Sequence, residues 1–218
     1  MRPEFSQERN NTLANIFDLF KKIENTATTS PITHIVVGLG NIGEQYERTR
    51  HNVGFVALDR IARTVGASVD RVKFHAYVGE CRIGENRVLL MKPTTLMNRS
   101  GLAVGEAAAF YKIPAERIIV LHDEISFAPG LMRIRRKGSA GGHNGLKSLI
   151  EAIGDGFPRI KIGVGQKPSP DYDLADWVLG KMPKADIEAF EARLDDIYDA
   201  VRLTVLGNID EAMQKYSK

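Results

Sequence analysis

Hydrophobic positions over residues 34–37 run without interruption as His34-Ile35-Val36-Val37, the pattern of a short strand buried on both faces. Over 53–65 the spacing changes. Phe55, Leu58, Ile61, Ala62 and Val65 recur at helical intervals, which predicts an amphipathic helix stopped by Gly66. Residues 73–83 and 87–91 read as a strand pair turned at Gly84-Glu85-Asn86. An alanine-rich helix is expected over 100–111, a β-branched buried strand over 117–121, and further strands over 131–135 and 159–164. The remaining helices are expected over 144–153 and, as one long element, over 184–206. Alternating β and α units imply an α/β fold, with a single mixed central sheet and helices on both faces. Ahead of it, Leu13, Ile16, Phe17, Leu19, Phe20 and Ile23 form a helical apolar stripe that Thr-Ala-Thr-Thr-Ser-Pro breaks. Residues 1–31 are therefore expected to be a helical extension, and 32–218 the main domain.

Composition narrows the class. The 218 residues suffice for one α/β domain with a well-formed core, and 43% hydrophobic with 26% charged residues is ordinary for a globular protein. No run approaches the roughly eighteen apolar residues that would span a bilayer. The first residues carry Glu4, Glu8, Asp18 and Glu24 and no apolar h-region, so neither a secretory signal nor a transit peptide is read there. The single Cys81 cannot form an internal disulfide and fits a reducing cytoplasm, as a buried structural thiol. The net charge of +3 is mild, but its distribution is not. Eight basic and two acidic residues between 131 and 167 give that window +6, so the rest of the chain sums to −3. A concentrated basic face on a nearly neutral chain suits a polyphosphate ligand, whereas a merely solvated strand edge is the plainer reading of the same residues.

Gly38-Leu39-Gly40-Asn41-Ile42-Gly43 matches the dinucleotide-binding pattern G-x-G-x-x-G, and Asp59 lies at a plausible distance for a ribose-binding acid. Such a loop must open directly into a helix that faces the pyrophosphate. Here nine residues, 44–52, precede the next helical stripe, and Asp59 falls inside that helix. Nucleotide binding is set aside.

The candidate chemistry lies in five polar clusters at strand ends or helix starts: Gly40-Asn41, residues 49–52, residues 93–98, His122-Asp123-Glu124 and residues 141–145. Singly, Asn41 and Asn144 would be turn or cap residues, His51 a surface histidine and Asp123 a loop cap. Together they supply a base, a carboxylate to orient it and several neutral amides. A neutral imidazole can take a proton from water, a carboxylate fixes its tautomer, and amides can donate to a developing oxyanion. No G-x-S-x-G elbow is present and Cys81 has no activating neighbour in sequence, so a covalent acyl-enzyme is not expected. His34, His51, His75, His122 and His143 lack an HExxH or CxxC companion, so no metal is expected either.

At these residues the sequence resembles the bacterial-type peptidyl-tRNA hydrolases. The resemblance runs from about 34 to 183 and weakens through the C-terminal helix. It rests on Val37-Gly38-Leu39-Gly40-Asn41, Thr49-Arg50-His51-Asn52-Val53-Gly54, the stretch 92–101 (KPTTLMNRSG), His122-Asp123-Glu124, the stretch 141–147 (GGHNGLK) and Arg159-Ile160-Lys161-Ile162-Gly163, in that order. The resemblance implies hydrolysis of the ester joining a peptide to the 3′ end of tRNA, with peptidyl-tRNA as partner and no cofactor. It implies His51 as general base, Asp123 as its orienting partner and Asn41 beside the scissile ester. Asn98 and Asn144 would hold the peptide backbone and the tRNA 3′ end, with Tyr46 and Met97 near the cleft, His143 among the substrate-binding residues, and Arg133 and Lys161 as a phosphate clamp. Two departures stand out. Ile42 occupies a position where the family has proline, which frees φ without removing a catalytic atom. The clamp reads Arg then Lys where the family has Lys then Arg, and the two grip phosphate differently. A catalytically silent relative that binds RNA or a partner protein is the alternative, but such a chain would be expected to lose the base or the amides. A general esterase would leave the basic window without a purpose. The extension is expected to be dispensable for catalysis, since every motif lies downstream, and the enzyme is expected to work as a monomer unless residues 13–23 mediate self-association.

Overall fold

The computed structural model describes residues 30–217, so the helix expected over 13–23 lies outside the described residues. Among them, seven strands form one sheet: β1 (His34–Gly38), β2 (Arg71–Lys73), β3 (Ala76–Ile83), β4 (Asn86–Pro93), β5 (Ile118–Glu124), β6 (Met132–Arg135) and β7 (Arg159–Gly163). Their order is β2-β3-β4-β1-β5-β7-β6. The central strands β4, β1, β5 and β7 are parallel, and the outer pairs β2–β3, β3–β4 and β6–β7 are antiparallel, so the sheet is mixed. The helices are α1 (Val53–Thr64), α2 (Ser100–Tyr111), α3 (Asn144–Ile153), α4 (Leu174–Leu179), α5 (Lys184–Glu191), α6 (Leu194–Val205) and α7 (Ile209–Tyr216).

Strand alternation divides the core in two. Ile35 and Val37 of β1, with Leu89 and Met91 of β4 and Val120 of β5, meet Val104 and Ala107 of α2 and Leu149 of α3. Val36, Leu90 and Leu121 turn to the opposite face and pack on Leu58 and Ile61 of α1 and Ile197 and Val201 of α6. Helices therefore cover both faces, and the continuous apolar runs of the parallel strands are buried on each. Among the described residues no helix is long and apolar enough to cross a membrane.

Four expectations change. The region 73–83 is two strands, because Phe74 and His75 adopt left-handed φ of 54° and 51° and close a tight hairpin without the usual glycine or asparagine. β5 does not stop at Leu121 but carries His122, Asp123 and Glu124, which pair with Lys161, Ile162 and Gly163 of β7. The helix expected over 184–206 breaks at residues 192–193 into α5 and α6, with no glycine or proline there to announce it. A short helix, α4, had no forecast, although its cap was present: Asp173 accepts a bond from the Asp176 amide at 3.0 Å.

The glycine-rich loop after β1 passes through two 3₁₀ turns, Glu44–Tyr46 and Arg50–Asn52, before α1 begins, so it feeds no helix N-terminus. Asp59 meets Lys92 Nζ at 2.7 Å instead of a ribose. What brings α1 onto the sheet is Gly54. A Cβ there would come within 2.5 Å of the Leu39 and Leu121 carbonyl oxygens, so only glycine allows this approach at the ends of β1 and β5. Gly54→Ala is expected to cost about 1–3 kcal/mol through overpacking, measured as a lowered urea midpoint with unchanged m-value. An unchanged midpoint would mean that the helix can slide outward freely.

Candidate active site

In sheets of this kind, the loops beyond the carboxyl ends of the parallel strands gather into a crevice. Here the ends of β1, β4 and β5, the start of α3 and one side of α4 enclose a cavity of about 460 Å³. Asn41, Tyr46, His51, Met97, Asn98, Asp123, His143, Asn144 and Lys161 all line it. Of the site residues that the resemblance implies, Arg133 is the one that does not. It lies exposed on β6, in register with Lys161 on β7, and its guanidinium stacks 4.5 Å from the Phe127 ring.

Asp123 is the centre. Its residue is 4% exposed, and its Oδ1 accepts from His51 Nδ1 at 2.8 Å and from His143 Nε2 at 2.9 Å. Burial alone would raise its pKa, but His143 and His51 outweigh that and hold the carboxyl well below the usual range. His51 thereby presents Nε2 as the nitrogen that can act as a base. His143 is the N-cap of α3, and its Nδ1 accepts the Leu146 amide at 3.3 Å. Both of its nitrogens are committed within the protein, so it offers the cavity a ring face and not a polar contact.

Asn41 is fixed from two sides. Asn52 Oδ1 accepts the Asn41 backbone N–H at 2.8 Å, and Asn52 Nδ2 donates to the Asn41 carbonyl at 2.9 Å. The Asn41 side-chain oxygen accepts the Met97 N–H at 2.8 Å, and this assigns the amide orientation and leaves its NH₂ free to donate. The turn that aims Met97 is strained: Leu96 sits at φ 61° and ψ 162°, a region costly for any side chain. Asn98 and Asn144 stand exposed at the cavity, Asn144 as the first residue of α3. Lys161 Nζ meets Glu124 Oε2 at 2.7 Å, an interaction that, with the Ser126 contacts, outweighs burial and lowers the Glu124 pKa.

Several residues here escaped the reading of the sequence. Asn52 was quoted within a motif but given no role, although it clamps Asn41. Arg50, only 5% exposed, stacks on Trp177. Ile125 and α4 supply an apolar wall through Leu174, Ala175, Val178 and Leu179. The N-cap pattern at Asp173 was the available signal for α4; nothing in sequence announced its place in the cavity. Cys81 is half-buried on β3 and outside the cavity, and burial pushes its thiol up to about 11, away from nucleophilic use.

His122, also unassigned, lies buried at 1% exposure beside His143, the ring centroids 5.1 Å apart. Its Nδ1–H donates to the Asp123 carbonyl at 2.7 Å, and its Nε2 has no hydrogen-bond partner. Burial first, then the nearby His143, lower its pKa to about 3. A histidine depressed below its unfolded value of about 6.5 favours the unfolded chain when it protonates. Its stabilising contribution is therefore complete above about pH 6.5 and is lost as pH falls toward 3. NMR is expected to show a neutral Nδ1–H ring unchanged from about pH 8 down to 5, as a folded-state value this low requires. A midpoint near 6 would contradict that environment.

With this geometry in view, the likeness to known proteins is specific. Residues 35–218 match the Peptidyl-tRNA hydrolase family. A peptidyl-tRNA hydrolase of Clostridium botulinum (strain Eklund 17B / Type B) is 46% identical over 184 residues, covering 84% of this chain and 95% of that protein. One from the strain Alaska E43 is 47% identical over 184 residues, with the same coverage. The crystal structure of peptidyl-tRNA hydrolase from Acinetobacter baumannii superposes with a TM-score of 0.81 at 36% identity, covering 86% of this chain and 97% of that one. Nearly full-length matches at these identities leave one assignment: this chain belongs to the peptidyl-tRNA hydrolase family.

Proposed function

We propose that this chain hydrolyses the ester bond between a peptide and the 3′ end of tRNA, in the cytoplasm, as a monomer and without a cofactor. The observation that carries this reading is the His51–Asp123 pair, 2.8 Å apart in a cavity where Asn41 keeps a free amide. With Nδ1–H donated to Asp123, His51 Nε2 takes a proton from water as the water oxygen attacks the ester carbonyl carbon. The carbonyl oxygen gains the negative charge, and the Asn41 NH₂ donates toward it. Collapse expels the ribose 3′ oxygen, which takes the proton back from His51. The peptide leaves as its acid and the tRNA with a free 3′ hydroxyl.

The other residues are assigned to binding. Asn98 and Asn144 take the peptide backbone and the tRNA 3′ end, while Tyr46 and Met97 pack the cleft. His143 positions Asp123. Arg133 and Lys161 share one face of the β6–β7 pair, so a phosphate could meet both, with Lys161 also reaching the cavity. Self-association through residues 13–23 is the alternative to the monomer. A silent RNA- or partner-binding relative is the weaker reading, since the base, the carboxylate and the amides converge in one cavity.

His51→Ala is expected to lower turnover by about two to four orders of magnitude and to leave substrate affinity within a few-fold. Single-turnover release from an N-blocked aminoacyl-tRNA, with binding measured separately, provides the check. Near-normal turnover in the folded variant would remove His51 as the base.

For Arg133, a point charge on a polyanion acts mainly through counterion release. Arg133→Ala is expected to weaken binding of full-length tRNA substrates and to reduce the salt slope by about one unit. A minimal substrate bearing only the 3′ end should be cleaved almost normally. Equal losses on both substrates would give Arg133 a structural role.

A further inference from the structure

The cavity has two unlike sides. Asn41, Asn98, Asn144 and the His51–Asp123 pair present polar atoms, whereas α4 presents Leu174, Ala175, Val178 and Leu179. Leu174 and Leu179 are 38% and 40% exposed, an amount of uncovered apolar surface that suits a ligand. A six-residue helix cannot hold its own position. Two contacts hold it: the Trp177 Nε1–H donates to the Gly165 carbonyl at 2.9 Å, and on the other side stands Arg50, the residue next to His51.

The Arg50 guanidinium lies over the Trp177 ring, 3.5 Å from its centroid. Its Nη1 donates to the carbonyls of Trp177 at 3.3 Å, Gly180 at 3.2 Å and Lys181 at 3.3 Å, the C-terminal end of α4 and the residues after it. The Arg50 backbone N–H also donates to the Gly180 carbonyl at 3.2 Å, and Thr49 bridges Lys181. A Cβ at Gly180 would stand 3.0 Å from Arg50 Nη1 and 3.2 Å from the Asp176 and Trp177 carbonyl oxygens, so a larger residue there crowds the guanidinium. Lysine could not replace this arrangement, since it has no plane to stack on the indole.

We infer that Arg50 is a positioning residue that locks α4 to the turn carrying His51, and that the wall so fixed receives the side chain of the amino acid esterified to tRNA. This rests on the proposed esterase reading. When the ester carbonyl is at His51, the side chain on the adjacent carbon is the apolar part of the substrate that stays within reach of a wall tied to residue 50. The peptide amides and the ribose belong on the polar side. The wall therefore acts on binding, while His51 and Asp123 act on the chemistry.

The only tryptophan in the chain, Trp177, reports on the lock directly. The experiment compares wild type, Arg50→Met, Trp177→Phe and Gly180→Ala on N-blocked leucyl- and glycyl-tRNA. In parallel, 3′-amide-linked leucyl and glycyl analogues, which cannot be cleaved, are bound and followed by Trp177 emission where the tryptophan is kept. Wild type should favour the leucyl over the glycyl substrate by about tenfold in kcat/KM, the scale of an apolar side chain in a pocket. In Arg50→Met, KM for the leucyl substrate should rise about fivefold or more with kcat within about twofold, and the glycyl substrate should change little. Gly180→Ala should shift in the same direction from the other side of the contact, and Trp177→Phe, which keeps a ring to stack on but loses the Nε1–H donated to the Gly165 carbonyl, should shift the same way by less than Arg50→Met. Emission in Arg50→Met and Gly180→Ala should move to the red and become easier to quench. Unaltered emission, equal KM changes on both substrates, or equal binding of the two analogues by wild type would each overturn the inference. Failure of wild type to cleave either ester would instead count against the hydrolase reading, with the analogue and emission measurements still deciding the wall and the lock.

Discussion

A buried carboxylate must be answered, and Asp123 sets the terms for everything around it. At the C-terminal end of a central parallel strand it is nearly removed from water, where an unpartnered charge would be neutralised by taking up a proton. Two histidine N–H groups on one oxygen prevent that. Each comes from a different part of the chain: His51 from the turn before α1, His143 from the cap of α3. To meet at one oxygen atom, α1 must sit close on β1 and β5, which Gly54 permits, and α3 must start beside β5. The fold is thus held to the geometry of a single charged group.

The same economy appears in how the tautomers are fixed. His143 accepts an amide at Nδ1, so its proton is on Nε2, facing Asp123. His122 donates from Nδ1 to a carbonyl. His51 donates from Nδ1 to Asp123. Three histidines lie close together, and the carboxylate and the backbone fix the proton of each, on Nδ1 in His51 and His122 and on Nε2 in His143. Burial adds a second control: it keeps His122 uncharged, so that a positive ring does not compete with His51 for Asp123. Polar groups in a low-dielectric site must be fully specified or they cost stability, and here backbone and side chains share that task.

Much of this was legible in the chain. The strands over 34–37 and 117–121, the helices over 53–65, 100–111 and 144–153 and the α/β class follow from periodicity, because burial against a sheet enforces those periods. The polar clusters were legible because strand ends in such sheets collect function. What escaped was set by tertiary contact. β5 runs on through three polar residues since β7 pairs with them, which no local pattern reports. The break at residues 192–193 has no glycine or proline to mark it. α4 is too short to show a period, and its neighbour Arg50 reads as an ordinary surface cation until the indole that covers it is in place. His122 had only a place in a motif, and its burial with an unpartnered Nε2 is a property of the packed sheet.

The basic window shows how one sequence signal can divide into several jobs. Arg159, almost wholly buried, donates to the Ser139 and Asp155 carbonyls and so braces the loop that leads to His143. Lys161 is held by Glu124 at the edge of the cavity. Arg136 pairs with Asp210 of α7. Of these charges, Arg133 on the exposed face of β6 remains the one best placed to meet a ligand outside the cavity, stiffened by the ring beneath it. A count of charge along the chain treats all of them alike. The fold spends some on its own carbonyls and carboxylates, because a guanidinium taken out of water needs hydrogen-bond partners inside the protein. The field that a polyanion would feel is therefore narrower than the +6 window suggests. Arg133 on the β6–β7 face is one place where it stays exposed, in register with Lys161, which lines the cavity.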